Sequence, residues 1–361
     1  MAPDASLSQI FHFFLPAAQL LKATACAEGN INQTWLLRYK SAGMVTQAVL
    51  QRLSPVVFPD PPAVMANFRT ITRHLAWARH RDHNIPRFPL PLVNPEGKDY
   101  CQDATGGLWR LITYIGPSRT LAQVSAAQAA SVGAMLARFH LLLRTLAPQE
   151  LNDPLPGFHD TPAYLAQFET ITCNRSPKTS DEAFCYKNIH QLRPLAFLLQ
   201  GKSADHSQQL VHADPKCANF LFVPHGDAVL SLIDLDTVRF GFLLHDLGDC
   251  LRSCCNSGGE EKNQQPVFAA NHFSALLNAY LQHGGKQLLT AADQNLLLDA
   301  ARLLIFELGL RFFTDYLQGN PYFGSLYPEH NLHRAMVQFR LHASLLAQEN
   351  RLRKDLAALL A

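Results

Sequence analysis

The periodicity of apolar residues changes near Gly116, and this change constrains the fold more than any other feature of the sequence. Before it, short β-branched or aromatic runs predict strands around a single helix. The strands are predicted at 32–39, 46–53 and 108–115, and the helix at 63–80. After it, long stretches place apolar residues three and four positions apart, which predicts a mostly helical region.

The helical stretches lie at 120–146, 272–284, 291–317 and 330–360. Two short β-type runs, 219–223 and 229–235, interrupt them and are joined by the turn-rich PHGDA. A chain of 361 residues is too long for one small core, so two lobes are the default expectation. We therefore predict an α+β fold with a small β-rich lobe over 1–115 and a large, mostly helical lobe over 116–361.

The charge balance argues against nucleic acid and anionic membranes as partners. Charged residues make up 17% of the chain, the formal net charge is +2, and there is no Lys/Arg-rich block. No apolar run approaches the ~20 residues that a membrane span requires. We expect a monomer or simple homodimer that binds small molecules.

Cysteine usage and the first residues predict a cytoplasmic protein. The eight cysteines show no CxxC pair and no metal-like spacing with histidine, which is typical of reduced thiols. The run IFHFFLPAAQLL followed by ATACA resembles a secretory signal with a cleavage site. It lacks a basic start and the segment contains Asp4 and Pro16, so we favour the cytoplasmic location.

The run HADPKCAN, directly before the first β-type run of the helical region, carries the chemistry. Asp214, Lys216 and Asn219 share this run, and Asp234 follows a later apolar run. Phosphoryl transfer needs a carboxylate to position the attacking hydroxyl, oxygen ligands for Mg²⁺, and a cation for the phosphates. Asp214 would be the base, Asn219 and Asp234 the metal ligands, and Lys216 the cation.

Each of these pieces alone is weak, because an aspartate before an apolar strand is usually a turn or cap residue. The combination matches the protein-kinase pattern H-R-D-x-x-x-x-N with a later metal-binding aspartate. Here Ala213 takes the Arg position and IDLD replaces D-F-G. His212 would brace the loop.

These motifs resemble those of the aminoglycoside phosphotransferase and choline kinase superfamily, which shares the protein-kinase-like fold. The segment IDLDTVRFGFLLHDLGDCLRS strengthens the resemblance, which implies that Asp246 or Asp249 braces the catalytic loop. It also implies that ATP and Mg²⁺ bind between the two lobes. The backbone from Thr113 to Ile115 would meet the adenine.

In the first lobe, EGNINQTWLL resembles the turn that covers the phosphates in this superfamily. Gly29 would let the backbone approach an anion, and Asn30, Asn32 and Thr34 would supply polar contacts. An ordinary hairpin turn is the alternative interpretation.

The next strand should supply a cation for the nucleotide phosphates. Gln51 and Arg52 are neighbours, so on a strand they point to opposite faces. We assign the role to Arg52 because it carries the charge; if Gln51 faces the nucleotide, Arg52 is a solvated surface residue. The following helix has no acidic residue, which departs from the Lys-Glu pair of protein kinases.

Segments along nearly the whole chain, LPGFHDTP and RFFTDYL among them, resemble the N-acetylhexosamine 1-kinases. By that similarity, Arg311 and Tyr322 bind the sugar, since an arginine can donate several hydrogen bonds to hydroxyl or acetamido oxygens. An ion pair between Arg311 and Glu307, four residues earlier, is the structural alternative. Asp315 could orient the arginine.

In LPGFHDTP, His159 and Asp160 could line the cleft, although a helix cap by Asp160 or Thr161 is favoured. The resemblance implies transfer of the ATP γ-phosphate to the anomeric hydroxyl of an N-acetylhexosamine. The alternatives are another acceptor, such as N-acetylmuramate, an amino alcohol or an aminoglycoside, and a non-catalytic nucleotide-binding protein.

Overall fold

The structure is a computed structural model that describes residues 5–26, 32–202, 204–259 and 265–361. Gly29 and Asn30 of the predicted phosphate-covering turn lie outside these ranges. The chain forms two compact units. The first comprises Met1–Pro117 and Gln149–Leu155, and the second comprises Ser118–Pro148 and Pro156–Ala361.

The first unit is a five-stranded antiparallel sheet with a helix on each face. Its elements are α1 (Ala5–Phe14), β1 (Gln19–Ala25), β2 (Gln33–Ser41), β3 (Met44–Arg52), α2 (Pro61–Arg81), β4 (Cys101–Gln102) and β5 (Leu108–Thr113). The strand order is β1-β2-β3-β5-β4. The predicted strands and the predicted helix are confirmed, whereas α1 was not predicted.

Alternation along the strands gives the sheet two different faces. On one face Trp35, Leu37, Leu50 and Trp109 form a core with α1, into which Phe11 and its neighbours pack. The run that resembles a secretory signal therefore forms much of α1, which packs against the sheet and contributes to its core. The other face contacts α2, whose start is capped by Asp60 accepting the Ala63 N–H at 3.1 Å.

The segment Gln149–Leu155 belongs to the first unit although the sequence placed it in the helical lobe. Asn67, a buried residue of α2, explains this. Its Nδ2 donates to the carbonyl of Asn152 at 2.9 Å, and its Oδ1 accepts the Asn152 N–H at 2.8 Å. These two hydrogen bonds hold the segment to α2.

The second unit is mostly helical, as predicted. Its elements are α3 (Ala126–Leu143), α4 (Thr161–Thr172), α5 (Ser180–Leu192), β6 (Gln208–Val211), β7 (Phe220–Phe222), β8 (Val229–Leu232), β9 (Arg239–Phe242), α6 (Leu243–Cys254), α7 (Ala270–Gln282), α8 (Ala291–Leu317), α9 (His330–Leu346) and α10 (Glu349–Leu360). Strand β6 pairs with β9, and β7 pairs with β8. The single helix predicted at 330–360 is two helices, α9 and α10.

Helix α3 is a core helix of the second unit. A Cβ at Gly133 would lie 2.1 Å from the carbonyl oxygen of Leu276, so only glycine permits this approach of α3 to α7. Among the described residues, α3 is the one helix long and apolar enough to cross a membrane, and half of it is buried within the protein.

Candidate active site

The loop that carries HADPKCAN connects β6 to β7 and is held by Asp246 of α6. Ala213 adopts a left-handed backbone (φ 67°), which is unfavourable for a residue with a Cβ. The two carboxylate oxygens of Asp246 accept the N–H groups of His212 and Ala213, each at 2.7 Å. Of the two aspartates that the resemblance implied, Asp246 is therefore the one bonded to the loop.

Asp246 is ionised despite being fully buried. Burial would raise its pKa, but the hydrogen bond and charge of His140, whose Nε2 lies 2.9 Å away, hold the pKa below its ordinary value. A neutral carboxyl could not accept all these hydrogen bonds. The negative charge of Asp246 thus fixes the loop.

His212 braces the loop from inside, as the sequence predicted. The N–H of Asp214 donates to His212 Nδ1 at 3.3 Å, so this nitrogen carries no proton. Nε2 is therefore the protonated nitrogen and donates to the carbonyl of Ile233 at 2.9 Å. One buried ring joins the loop between β6 and β7 to the residue before Asp234.

Asp214 is held by two donors on its own loop. Lys216 Nζ lies 2.5 Å from Asp214 Oδ2, and Asn219 Nδ2 lies 3.2 Å from the same oxygen. The Asp214 side chain remains 22% exposed. This carboxylate is oriented yet accessible, which is what a group that aligns an acceptor hydroxyl requires.

Asp234 follows β8 and is brought to Asn219 by the backbone. The N–H of Ile233 donates to the carbonyl of Asn219 at 2.9 Å, and Asp234 itself is left-handed (φ 65°). Burial, and then the neighbouring carboxylate of Asp236, raise the pKa of Asp234. A bound cation would relieve this excess of negative charge.

The donor set fits magnesium. The amide nitrogen of Asn219 donates to Asp214, which leaves Oδ1 as the atom that could bind a metal. A carboxylate and an amide oxygen are ligands that Mg²⁺ prefers, and Mg²⁺ commonly completes its shell with phosphates and water. In the described ranges no group of three or more His, Cys, Asp or Glu is arranged to hold a metal, so Asn219 and Asp234 would act with phosphate oxygens.

Lys216 is a stable cation. Burial would lower its pKa, but the carboxylates of Asp214 and Asp234 outweigh burial and raise the pKa above its ordinary value. Lys216 is therefore positively charged at neutral pH. Asp214, Lys216, Asn219 and Asp234, which the sequence singled out, are brought together.

Arg311 lies inside a cage of four aromatic rings. Its guanidinium carbon is 4.9–5.4 Å from the ring centroids. The rings belong to Phe158, Tyr164, Tyr322 and Phe323. The side chain is 13% exposed. Cation–π attraction from four rings holds the guanidinium in place.

The ring of Tyr322 is placed by Asp315. Its carboxylate oxygens accept the N–H groups of Tyr322 at 2.8 Å and of Phe323 at 3.0 Å. Asp315 thus anchors two walls of the cage through their backbone. We expected that Asp315 could orient the arginine; in the structure its hydrogen bonds hold the backbone of two rings that surround the guanidinium.

The predicted ion pair between Arg311 and Glu307 is present but long, with Nη1 and Oε1 3.9 Å apart. The hydrogen bonds of Glu307 go elsewhere. Its Oε1 lies 2.8 Å from His159 Nδ1, and its Oε2 accepts from the hydroxyl of Thr161 at 2.5 Å. Asp160 caps α4, as predicted, by accepting the Ala163 N–H at 3.1 Å.

In the first unit the register places Thr34, Gln51 and Arg110 side by side across β2, β3 and β5. Gln51 Nε2 donates to the Thr34 hydroxyl at 3.3 Å, and Arg110 Nη2 donates to Gln51 Oε1 at 2.7 Å. Arg110 is buried and stacks 4.5 Å above Phe68 of α2. This row lies on the face that contacts α2.

Arg52 lies on the opposite face. Its Nε is 3.2 Å from Asp103 Oδ2, its Nη2 donates to Thr105 at 2.8 Å, and its guanidinium is 5.9 Å from the ring of Trp109. Gln51 and Arg52 therefore lie on opposite faces of the sheet, as the strand alternation predicted. Gln51 shares a face with Thr34, and Arg52 does not.

Asn32, Thr113 and Ile115, the other described residues predicted to contact the nucleotide, all belong to the first unit. Asn32 Oδ1 accepts the N–H of Ser54 at 3.0 Å. The Thr113 hydroxyl accepts the N–H of Leu90 at 2.9 Å, and Ile115 is buried. These contacts show what holds the residues, and their roles toward a nucleotide stay predictions.

Sequence reasoning did not find Arg110, nor Phe158, Tyr164 and Phe323 of the cage. The cage residues come from segments more than a hundred positions apart, so no local pattern could group them. Arg110 is the one charged residue of the apolar run LWRLITYI. A charged residue is seldom buried without a partner, so its place in this run was the feature that could have marked it as a candidate.

A strand-rich first unit and a helical second unit, with the HADPKCAN loop between short strands, make up the protein-kinase-like fold of aminoglycoside phosphotransferases and choline kinases. Residues 22–286 match the model of the phosphotransferase enzyme family, APH. The chain belongs to this family.

Three solved structures share the fold at low sequence identity. An aminoglycoside phosphotransferase from Alicyclobacillus acidocaldarius is 16% identical, with a TM-score of 0.59 over 98% of each chain. A choline/ethanolamine kinase family protein from Mesorhizobium loti is 15% identical, with a TM-score of 0.57 over 100% of this chain and 99% of that one. Spectinomycin phosphotransferase, in complex with ADP and spectinomycin, is 16% identical, with a TM-score of 0.56 over 92% and 93%.

Proposed function

We propose that this protein transfers the γ-phosphoryl group of ATP to the anomeric hydroxyl of an N-acetylhexosamine, N-acetylglucosamine or N-acetylgalactosamine, to give the sugar 1-phosphate. The observation that carries the phosphotransferase part is the Asp214 carboxylate, oriented by Lys216 and Asn219 and joined through the backbone to Asp234. The observation that carries the acceptor part is the caged Arg311.

Asp214 would align the sugar hydroxyl and accept its proton. The new bond joins the sugar oxygen to phosphorus, the bond from phosphorus to the β-phosphate bridging oxygen breaks, and ADP leaves. In a loose transition state this alignment matters more than proton removal. Lys216 would stabilise the charge on the transferring group. Magnesium, when held by Asn219 and Asp234, would neutralise charge on the phosphates.

For the nucleotide, we propose that Asn32, Thr34 and Gln51 contact the phosphates, with Arg110 orienting Gln51 and adding positive charge. Gly29 and Asn30 would complete the turn, and the backbone from Thr113 to Ile115 would meet the adenine. Arg52, our first candidate, is engaged by Asp103 and Thr105 on the opposite sheet face. Its structural use is to hold the loop between β4 and β5.

The positive charge of Arg311 inside the cage favours an acceptor that is neutral or negatively charged. A quaternary ammonium such as choline is recognised by a box of aromatic faces. Here such a box exists, and the guanidinium of Arg311 fills it. A fixed positive charge would repel choline or an aminoglycoside, whereas it can donate hydrogen bonds to hydroxyl and acetamido oxygens.

A screen of acceptors tests the proposal. Free N-acetylhexosamines, N-acetylmuramate, amino alcohols and an aminoglycoside are incubated with ATP and Mg²⁺, and products are identified by phosphorus and carbon NMR. We expect phosphate on C1 of an N-acetylhexosamine. Phosphate on C6, or turnover of an amino alcohol alone, would overturn the acceptor and keep the phosphotransferase. Absence of magnesium-dependent transfer to every acceptor would favour a nucleotide-binding protein without catalysis.

A further inference from the structure

His159 forms hydrogen bonds through both ring nitrogens inside the second unit. Nδ1 lies 2.8 Å from Glu307 Oε1, and Nε2 lies 2.8 Å from the carbonyl oxygen of Ala213. The side chain is 6% exposed. The residue lies directly before the α4 cap and has a left-handed backbone (φ 62°), so its position is closely determined.

Both partners of the ring are acceptors without a proton. A carbonyl oxygen can only accept, and Glu307 is ionised. Burial would raise the pKa of Glu307, but the charge and hydrogen bond of His159, the charge of Arg311 and the hydroxyl of Thr161, which donates to Oε2, lower it to about 2. Each ring nitrogen must therefore donate, which only the imidazolium form can do. His159 is a buried cation between Glu307 and the catalytic loop.

We propose that His159 is a positioning residue of the phosphoryl transfer. As an imidazolium it links the carbonyl of Ala213 to the carboxylate of Glu307, which lies beside Arg311. This link fixes the backbone before Asp214 and so the direction of the Asp214 side chain. The inference rests on the proposed role of Asp214 in aligning the acceptor.

The peptide groups on either side of Ala213 explain why a second anchor is needed. The N–H of Ala213 is held by Asp246 at 2.7 Å, and its carbonyl is held by His159 at 2.8 Å. Without both anchors, a left-handed alanine relaxes toward ordinary backbone angles, which turns the Asp214 side chain. The Glu307 carboxylate also lies 3.9 Å from Arg311. One carboxylate thus connects the loop of the base with the proposed acceptor residue.

Several charged or titratable groups surround His159. Burial lowers the pKa of His159, but Glu307, the hydrogen bond to Ala213 and the charge of Asp249 on α6 raise it above its ordinary value. The neighbouring ring of His245 on α6, 4.7 Å away, is neutral, because burial and the charge of His159 lower its pKa to about 3. Further charged or titratable groups on the packed elements include Arg311 on α8, Asp246 and Arg252 on α6, Arg239 on β9, Asp214 and Lys216 on the loop, and Tyr164 on α4.

The pH dependence has a definite sign. A raised pKa means that His159 is an imidazolium below it and loses a proton as pH rises through it. The neutral ring keeps one of its two donors, so the bond to Ala213 or to Glu307 is lost. The kcat of the wild type should therefore fall on the alkaline side of the His159 pKa.

The test uses His159→Gln, which has one donor group of similar reach, and His245→Phe as the matched control in the same ring stack. With N-acetylglucosamine, ATP and Mg²⁺, we expect His159→Gln to lower kcat roughly tenfold to a hundredfold, while the KM for ATP is unchanged. The alkaline limb of the wild-type profile should be absent from this variant. His245→Phe should keep both kcat and the limb.

Glu307→Gln removes the negative charge that faces His159 and keeps a side chain of nearly the same size and shape. Glutamine can still accept from His159, but the loss of the negative charge should move the alkaline limb to lower pH. This variant decides the matter if His159→Gln does not fold. An unmoved limb in Glu307→Gln, or wild-type kcat in folded His159→Gln, would overturn the inference.

Nitrogen NMR of histidine-labelled full-length protein separates this inference from the proposed function. The His159 signals, assigned by their loss in the His159→Gln variant or by sequential assignment, should show both ring nitrogens protonated at neutral pH. One unprotonated nitrogen would overturn the inference even if the enzyme phosphorylates the sugar. A wild type that phosphorylates no acceptor would overturn the proposed function, with the imidazolium still observed.

Discussion

The backbone N–H of Ala213 donates to the carboxylate of Asp246 over 2.7 Å, so an α6 side chain determines the backbone of the residue before the proposed base. The same carboxylate accepts from His212. The geometry of the catalytic loop therefore depends on a residue more than thirty positions away that touches no substrate in the proposed reaction.

Asp246→Asn should destabilise the protein and distort the loop. An amide cannot accept on both of its heavy atoms, and a donor would face the N–H groups of the loop. We expect a loss of about 3 kcal/mol in the free energy of unfolding. Because the folded pKa of Asp246 is lowered, its contribution is complete above the ordinary aspartate pKa and is lost as pH falls through the folded value.

Urea unfolding of wild type and Asp246→Asn across acidic and neutral pH measures this difference. The difference between their free energies of unfolding should become smaller as the pH falls. Asp227→Asn, on the exposed turn between β7 and β8, serves as the control and should match the wild type. If this difference in free energy did not change with pH, the negative charge of Asp246 would not be what stabilises the loop.

Asp214→Asn should lose turnover while keeping the nucleotide. The amide retains the size of the side chain but cannot accept the sugar proton, and roughly a 10²- to 10⁴-fold loss of kcat is expected. Calorimetric titration with ATP and Mg²⁺ should give nearly the wild-type affinity. Turnover at the wild-type rate would remove Asp214 from the proposed mechanism.

Arg311→Ala should change which ligands the acceptor site binds. Removing the guanidinium should raise the KM for N-acetylglucosamine roughly tenfold to a hundredfold through lost charged hydrogen bonds. It also empties the space between four aromatic rings, so choline should bind to the variant and not to the wild type. Calorimetry with choline chloride measures this.

Arg340→Ala is the control for that experiment. Arg340 also stacks on a ring, Phe184 at 5.7 Å, but it is exposed and outside the cage. It should change neither KM nor choline binding. Binding of choline to Arg340→Ala, or its absence from folded Arg311→Ala, would contradict the view that Arg311 occupies the cage.

Gln51→Ala and Arg52→Ala should separate the two faces of the sheet. Gln51→Ala should raise the KM for ATP by about tenfold, since it removes the proposed polar contact with the phosphates and one acceptor that orients Arg110. Arg52→Ala should leave that KM unchanged and lower stability by at most about 1 kcal/mol, because its partly exposed ion pair is weak. The reverse pattern would restore Arg52 as the phosphate cation.

The contrast between these two residues shows where sequence reasoning stopped. Periodicity predicts that Gln51 and Arg52 point to opposite faces, but which face is which depends on where α1 and α2 pack. The sequence predicted the grouping of Asp214, Lys216 and Asn219, because they share one loop. It could not predict the cage of Arg311 or the His159 bridge, because both join segments that are distant along the chain.

The hydrogen bonds between Asn67 and Asn152 join two pieces of the first unit that are separated along the chain. The chain passes from the first unit to the second, returns for Gln149–Leu155, and leaves again, so the border is crossed three times. A fragment that ends at Pro117 would lack these two hydrogen bonds of Asn67, each worth about 0.5–1.5 kcal/mol. The strand-rich unit is therefore not a module that a single cut can release or a simple gene fusion can transplant.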